Sequence, residues 1–283
     1  AIDLKDETKF VGYEDSSVES EIKLIFKDGT EVKSASEGEC MIVLDSTPFY
    51  GESGGQVGDK GKLSAKGLEI EVLDTQKIGN FHLHISKIKK GSINLNDRVK
   101  AEINTERRRA IVSNHSATHL MHSALRNILG EHVQQKGSLV NEEKLRFDFS
   151  HKQKLSESEI VKIEQEVNQA IVSAEDTEII ETSIEESQKL GAIAFFGEKY
   201  GDQVRVLKIA GDYSTELCGG THVKNSSEIK SFKIISETSI SSGVRRIEAI
   251  SGDLAIKDKA DNKTDLLNTA CLLYTSPSPR DRG

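Results

Sequence analysis

The sequence NTERRRAIVSNHSATHLMHSALRNILGEH, residues 104–132, marks the point where the chain changes from strands to helix. Its apolar residues recur at helical spacing, at Ile111, Leu120, Leu125, Ile128 and Leu129. Gly130 follows directly, and a glycine in this place is a typical C-terminal stop. The stretch therefore predicts one long helix.

Before this helix, residues 10–100 are predicted to be rich in β-strands. SEIKLIFKDGTEVKSA alternates apolar and polar residues around Asp28-Gly29, which predicts a hairpin. ECMIVLDSTPFY is typical of a buried strand, and LEIEVLDTQKIGNFHLHISKI contains two alternating runs around Gly79-Asn80. Several short strands at this spacing indicate a small barrel or sandwich.

After the helix, helices and strands are mixed. SESEIVKIEQEVNQAIVSA predicts a second helix that starts with a capping box from Ser156 to Glu159, and SIEESQKLG predicts a third, shorter one. Strands are predicted at KLRFDFS, QVRVLKIA, IKSFKIISE and VRRIEAIS. Helices together with mostly antiparallel strands indicate an α+β fold.

Composition and charge narrow the classes of function. The chain has 283 residues, of which 36% are hydrophobic and 30% charged, as expected for a soluble globular protein of one or two domains. No apolar run is long enough to span a bilayer and no signal peptide is visible, so we expect a cytoplasmic protein without a membrane partner. A net charge of −8 argues against a general nucleic-acid binder.

The three cysteines, Cys40, Cys218 and Cys271, are odd in number and far apart. A disulfide framework is therefore not expected, and a thiolate metal ligand fits a reducing compartment better.

The sequence contains two pairs of potential metal ligands, each with its two members four residues apart. His115 and His119 are four residues apart in the predicted helix, which places both imidazoles on one face. Alone, such a pair is more often a pair of packing residues. In ELCGGTHV, however, Cys218 and His222 are also four apart, and the two pairs together make a plausible tetrahedral zinc set. His122 is then expected to pack or to support a ligand. Cys218 is expected on a loop before a strand, from which it would reach back to the helix that carries the histidines.

The predicted ligand set leaves the role of the metal open. Four protein ligands are typical of a structural zinc, whereas a catalytic zinc usually keeps one position for water. Either one of the four is a weak ligand, or the coordination expands when a substrate arrives.

Several motifs together resemble one family. NHSATHLMHSALR, VQQKGSLV with LRFDFSH, LGAIAFFGEKYGDQVRVL, ELCGGTHV and GVRRIEAISG are similar to the editing domain of the alanyl-tRNA synthetase family. Upstream, FVGY and DSTPFYGESGGQVGDKG resemble the β-barrel segment that precedes editing in this family. Freestanding AlaX editing proteins share the zinc motifs and the Gly-Gly-Gln, whereas FGEKYGD and FVGY are closer to the synthetases.

The resemblance implies a β-barrel segment at residues 1–100 and an α+β editing domain that contains zinc at 101–253. Residues 254–283 would begin a helical linker and end in a disordered or foreign tail. The family's aminoacylation domain, which binds ATP and alanine, would lie N-terminal to this region.

The implied function is zinc-dependent hydrolysis of mischarged Ser-tRNA(Ala) and Gly-tRNA(Ala), as the editing part of a ligase of protein biosynthesis. Three alternatives remain: a freestanding AlaX-type deacylase, a non-catalytic fragment that binds tRNA, and a Gly-Gly-Gln ester hydrolase of the release-factor kind. The last is disfavoured because release factors are not expected to carry the zinc set.

The resemblance also implies residue roles. His115, His119, Cys218 and His222 match the zinc-binding positions, and the implied catalytic set is Gln135, Thr118 and Cys218. Gln135 matches a glutamine of the editing pocket. Thr118 matches a threonine thought to hydrogen-bond the serine hydroxyl of the substrate; its alternative is a bond to its own helix backbone.

Contacts with tRNA are expected from local basic residues despite the acidic total, since phosphate binding needs a patch. The candidates are Arg107, Arg108, Arg109, Lys136, Arg245, Arg246 and, beside a mobile Gly54-Gly55 loop, Gln56. The competing interpretation of such charge runs is a solvated face.

Overall fold

The computed structural model describes residues 7–194 and 201–261. The predicted tail, Cys271 and most of the FGEKYGD motif lie outside the described residues. Within them, none of the helices combines the length and the apolar character that a bilayer crossing needs.

The first half of the chain is a closed β-barrel. Its strands are β1 (Lys9–Phe10), β2 (Ser17–Lys27), β3 (Thr30–Val32), β4 (Ser34–Ala35), β5 (Gly38–Leu44), β6 (Ser46–Thr47), β7 (Gly61–Ala65), β8 (Leu68–Ile78), β9 (Phe81–Lys90), β10 (Ile93–Asn94) and β11 (Arg98–Ile103). Six strands form a ring in the order β11-β7-β8-β9-β5-β2, which closes because β11 also pairs with β2. All neighbours in the ring are antiparallel.

Both predicted hairpins are confirmed. Asp28 and Gly29 have φ angles of 51° and 74°, as a two-residue turn between β2 and β3 requires. Gly79 has a φ of 59° in the turn that joins β8 to β9. The inward-facing residues of the alternating strands fill the barrel, so of the two architectures the barrel is the one observed. Fully buried members include Ile22, Ile25, Ile42, Leu63 and Ile70.

The second half has α+β architecture. Its elements are α1 (Thr105–Leu129), β12 (Gln135–Val140), β13 (Leu145–Ser150), α2 (Glu157–Val172), β14 (Glu178–Ser183), α3 (Ile184–Lys189), β15 (Gln203–Ile209), β16 (Ser214–Leu217), a 3-10 helix (Ser226–Ile229), β17 (Phe232–Ser241) and β18 (Val244–Ser251). One sheet has the order β12-β13-β18-β17 and the other β14-β15-β16. Residues 252–261 are helical.

The three predicted helices and four predicted strands of this half are present, and β12, β14 and β16 were not predicted. Strand β14 is largely exposed, and strand β16 has only four residues. Neither sequence therefore shows a clear alternation of apolar and polar residues. Both are held by pairing with the predicted strand β15.

Helix α1 is the central element. The Asn104 side chain accepts a hydrogen bond from the Arg107 backbone N–H at its start, and Gly130 ends it. Every residue from Ser113 to Leu125 is buried, because α2 and both sheets of this half surround the helix. A helix enclosed in this way must find partners for its polar side chains, since an unpaired buried polar group is costly.

Candidate metal centre

Four side chains that the sequence grouped as ligands meet at one point. Their donor atoms, from His115, His119, Cys218 and His222, all lie within 4.8 Å of one another. His115 Nε2 is 3.6 Å from Cys218 Sγ, and His222 Nε2 is 3.3 Å from the same sulfur. The two histidines of α1 are one turn apart, and the loop after β16 brings the other pair to them.

The loop position differs slightly from the one expected. Cys218 was predicted on a loop before a strand, but it directly follows β16, and the next regular element is the 3-10 helix. Strand β16 was not predicted, which explains the difference.

The donor set fits zinc. Zinc–nitrogen and zinc–sulfur bonds of tetrahedral sites place neighbouring donors about 3.5 Å apart. The two sulfur–nitrogen distances, 3.6 and 3.3 Å, agree with this spacing. Imidazole and thiolate donors also favour zinc over hard cations such as magnesium.

The protonation states of Cys218 and His222 favour ligation, whereas that of His119 does not. Burial lowers the pKa of His119, but Glu216 and Cys218 raise it to about 10, so this imidazole must lose a proton to bind a metal. Burial raises the pKa of the Cys218 thiol, but neighbouring imidazoles, those of His115 and His119 among them, outweigh it and hold this pKa well below its usual range. Burial lowers the pKa of His222 to about 3, so that imidazole is neutral. A thiolate and a neutral imidazole are the forms that bind a metal.

A buried carboxylate holds two histidines of α1. Glu216 accepts hydrogen bonds from Nδ1 of His119 and, at 2.6 Å, from Nδ1 of His122. Burial raises the pKa of Glu216, but the two imidazoles lower it to about 2, so the carboxylate is ionised. A carboxylate on Nδ1 fixes the His119 ring and leaves Nε2 as its donor atom for the four-donor group, an arrangement that is common around zinc.

Glu216 was missed by the sequence analysis, because the strand that carries it, β16, was not predicted. Glu216 and Cys218 are two residues apart at the end of β16, and residues two apart in a strand point to the same side. His122, expected to pack or to support a ligand, is the second partner of this carboxylate.

A barrel residue holds the first ligand. Gln56 is fully buried, and its Oε1 accepts from His115 Nδ1 at 2.8 Å and from the Thr221 backbone N–H at 3.0 Å. Its Nε2 donates to Thr221 Oγ1 at 2.8 Å. The amide therefore connects His115 to the loop of residues 218–222, which we call the ligand loop. Its predicted contact with nucleic acid has no support from this buried position.

Two glycines allow these close approaches. A Cβ on Gly220 would lie 2.2 Å from Cε1 of His115, so the ligand loop can approach the ring only without a side chain there. Gly55, expected in a mobile loop, has a φ of 84° and lies where a Cβ would be 2.6 Å from the Ser138 carbonyl oxygen. It packs closely against β12.

A cavity of about 710 Å³ adjoins the metal centre. Both halves of the chain line it. Its described wall includes three of the four ligands, His115, His119 and Cys218, and the predicted residues Thr118 and Gln135. The barrel side contributes Phe10, Tyr13, Tyr50, Lys77 and His82.

Thr118 is buried in this wall, and its hydroxyl donates to the Asn114 carbonyl oxygen at 2.8 Å. This is the local bond that the alternative interpretation of Thr118 expected. The hydroxyl oxygen keeps acceptor capacity, so the bond does not exclude a contact with a substrate hydroxyl.

The predicted tRNA-contacting arginines fall into two groups. Arg107 donates to Glu142 and to the Gly58 carbonyl oxygen, both at 2.7 Å. Arg108 pairs with the buried Asp59 of the barrel. These two guanidinium groups connect the start of α1 to neighbouring segments, whereas Arg109 is exposed.

The remaining basic candidates divide in the same way. Arg245 is 9% exposed and pairs with Glu237. Arg246 pairs with Asp148 through two hydrogen bonds of 2.6 and 2.8 Å. Lys136 is exposed at the start of β12. Arg109 and Lys136 are therefore the two exposed members of the predicted set.

Comparison with known proteins identifies two families. Residues 1–107 match the family described as tRNA synthetases class II (A), and residues 204–248 match the threonyl and alanyl tRNA synthetase second additional domain. The second match contains Glu216, Cys218 and His222.

Curated relatives extend the match over nearly the whole chain. The chain is similar to the alanine–tRNA ligase of Acetivibrio thermocellus, with 47% identity over 279 residues that cover 98% of this chain and 32% of the relative. For the enzyme of Alkaliphilus metalliredigens the identity is 51%, over 90% of this chain and 29% of the relative. For that of Xanthomonas axonopodis pv. citri it is 50%, over 94% and 30%. By sequence, the chain belongs to the alanine–tRNA ligase family and spans about a third of the length of the relatives that it matches.

Proposed function

We propose that this chain carries the editing activity of an alanine–tRNA ligase and hydrolyses mischarged Ser-tRNA(Ala) and Gly-tRNA(Ala), with zinc as its cofactor. The observation that supports this most strongly is the shared wall of the cavity. Three of the four metal-ligand side chains line it beside Thr118 and Gln135. An aminoacyl ester that enters this cavity therefore lies near both the metal and selective polar groups.

The proposed reaction is the attack of water on the ester carbonyl carbon. The bond from that carbon to the ribose oxygen breaks, and the ribose oxygen takes up a proton, which gives the free amino acid and tRNA. A bound zinc supplies Lewis acidity at the ester or at the attacking water. His115, His119, Cys218 and His222 hold the zinc, while the amide of Gln135 orients the aminoacyl group.

Thr118 provides the proposed selectivity. Its hydroxyl hydrogen is on the Asn114 carbonyl oxygen, so its oxygen accepts a hydrogen bond from the hydroxyl of a substrate serine. Correctly attached alanine has no hydroxyl to offer and gains nothing from this group. Such a second site is needed because a pocket for alanine excludes glycine and serine only weakly.

A second candidate function is a non-catalytic fragment that binds tRNA. A centre with four protein donors is typical of structural zinc, which leaves no position for water. Whether the chain acts as part of a ligase or as a freestanding AlaX-type deacylase is a further choice within the first candidate. Aminoacylation with ATP and alanine would belong to parts of the relatives that this chain does not match. The proposed setting is the cytoplasm.

A deacylation assay separates the two candidates. We expect zinc-loaded chain to release serine from Ser-tRNA(Ala), and a chelator or Cys218→Ala to abolish the release for both Ser-tRNA(Ala) and Gly-tRNA(Ala). If tRNA binds but no ester is hydrolysed at any zinc loading, the non-catalytic candidate is correct.

Thr118→Val tests the selectivity within the same assay. Valine keeps the branched shape and removes the hydroxyl, so serine release should fall by about five- to a hundredfold. Glycine release should change less, because glycine has no hydroxyl to lose. Equal losses on both substrates at unchanged zinc content would show that the role of Thr118 is different.

Binding of tRNA is proposed to involve Arg109 and Lys136. Removing one phosphate contact should weaken binding and reduce the slope of log affinity against log salt by about 1. An affinity that is constant across a salt titration would rule out phosphate contacts altogether.

A further inference from the structure

The loop that joins the two ligands Cys218 and His222 is anchored by its backbone carbonyls. Arg205 Nη1 donates to the carbonyl oxygen of Cys218 at 3.1 Å and to that of Gly220 at 3.0 Å. The hydroxyl of Tyr13 donates to the carbonyl oxygen of Gly219, between them, at 2.7 Å. Three consecutive carbonyls are therefore held by two side chains.

The two anchoring side chains support each other. The guanidinium carbon of Arg205 lies 4.2 Å from the centre of the Tyr13 ring, which is a cation–π contact. The Tyr13 ring also packs edge-to-face with the Phe10 ring, with 4.9 Å between the ring centres. Arg205 is also the backbone partner of Cys218, whose N–H donates to the Arg205 carbonyl oxygen at 3.0 Å.

The loop needs such anchors. Residues 218–222 include the adjacent glycines Gly219 and Gly220, and glycine loses more conformational freedom on ordering than any other residue. Cys218 and His222 can bind one metal together only if the backbone between them is fixed. Hydrogen bonds that fix it before the metal arrives reduce the entropy that metal binding must overcome.

We propose that Tyr13 and Arg205 are positioning residues for the metal centre. They hold the Cys218–Gly220 backbone so that Cys218 and His222 meet His115 and His119. Because Tyr13 lies between β1 and β2, the metal affinity of the second half depends on a residue of the barrel segment. The proposal concerns metal binding and holds whether or not the chain is catalytic.

Zinc release from the zinc-loaded chain tests this proposal. Tyr13→Phe removes the bond to Gly219 and keeps the ring, and Arg205→Lys keeps the charge but not the planar fork. With a chromogenic chelator as the trap, we expect zinc release to be about fivefold faster for Tyr13→Phe, since one hydrogen bond is lost. We expect a larger increase for Arg205→Lys, which loses two. Tyr50→Phe is the matched control, because Tyr50 also lines the cavity but donates to the Ser53 carbonyl oxygen and should release zinc like the unchanged chain.

Cobalt substitution and thermal unfolding separate positioning from general stability. The thiolate-to-cobalt absorption bands should change in the Tyr13 and Arg205 variants and not in the Tyr50 control. The metal-free unfolding midpoint should fall no further in the Tyr13 and Arg205 variants than in the Tyr50 control, which also loses one hydrogen bond. Release rates equal to that of the unchanged chain would overturn the proposal. So would faster release with unchanged cobalt bands and a metal-free midpoint below that of the Tyr50 control, because that combination indicates a weakened fold.

Discussion

The barrel and helix α1 both bury histidines, and they use them differently. In the barrel, His84 Nδ1 donates to the Ile42 carbonyl oxygen at 2.9 Å, and its Nε2 is 2.7 Å from the Thr47 hydroxyl. Burial lowers the pKa of His84 to about 4, so the ring is neutral with both nitrogens bonded inside the barrel. It is a packing residue with satisfied hydrogen bonds.

On α1, the His115 ring has one nitrogen in a hydrogen bond and the other directed at a sulfur atom. His115 Nδ1 bonds Gln56, and its Nε2 is 3.6 Å from Cys218 Sγ. Burial alone therefore does not distinguish a ligand from a packing histidine. The distinction lies in what Nε2 faces.

Replacing one histidine in each region should give the largest difference in zinc content between two variants. We expect His115→Ala to lose its bound zinc, since one of four donors is removed. His84→Gln should retain one zinc per chain, even if its unfolding midpoint falls. Zinc content after gel filtration, measured by mass spectrometry, checks both. If the His115 variant retained zinc, the distinction between His115 as a ligand and His84 as a packing residue would be wrong.

The two adjacent glycines of the ligand loop offer a more closely matched pair. A Cβ on Gly220 would overlap the His115 ring, whereas a Cβ on Gly219 would have no heavy atom of the described residues within 4 Å apart from its chain neighbours. We expect Gly220→Ala to lower zinc affinity by about a hundredfold, similar to the strongest effects of mutations around metal ligands. Gly219→Ala should stay close to the unchanged chain. Competition with a chelator of known affinity measures both, and equal affinities would contradict the proposed close packing.

Removing the hydrogen bond between the barrel residue Gln56 and His115 should have a smaller effect on zinc affinity. Gln56→Met keeps the length of the side chain and removes its bonds to His115 and Thr221, so zinc affinity should fall by about tenfold. Gln76→Met is the control, because Gln76 bonds Glu52 and Asp74 on the barrel and not the metal ligands. If the two variants bind zinc equally well, Gln56 only packs.

Local features of the fold were predictable from the sequence. Hairpin turns at Asp28-Gly29 and Gly79-Asn80, the end of α1 at Gly130 and the capping box at Ser156 each depend on a few neighbouring residues. The two pairs of side chains that meet in the candidate metal centre were predictable for the same reason, since each pair is spaced by four residues.

Features that depend on distant partners were not predictable. The contact of Gln56 with His115 joins residues 59 apart in sequence, and that of Tyr13 with Gly219 joins residues 206 apart. No local spacing encodes such contacts. The arginine run at the start of α1 was predicted from its local charge to contact tRNA. In the structure, Arg108 of this run pairs with the distant barrel carboxylate of Asp59, which local charge could not indicate.

X-ray absorption at the zinc edge of the zinc-loaded chain is the most direct test of the metal centre. Coordination by His115, His119, Cys218 and His222 predicts one sulfur at about 2.3 Å and three nitrogens at about 2.0–2.1 Å. The sulfur shell should disappear in Cys218→Ala. A spectrum of the unchanged chain with only light-atom neighbours and no sulfur shell would contradict the metal centre described for this fold.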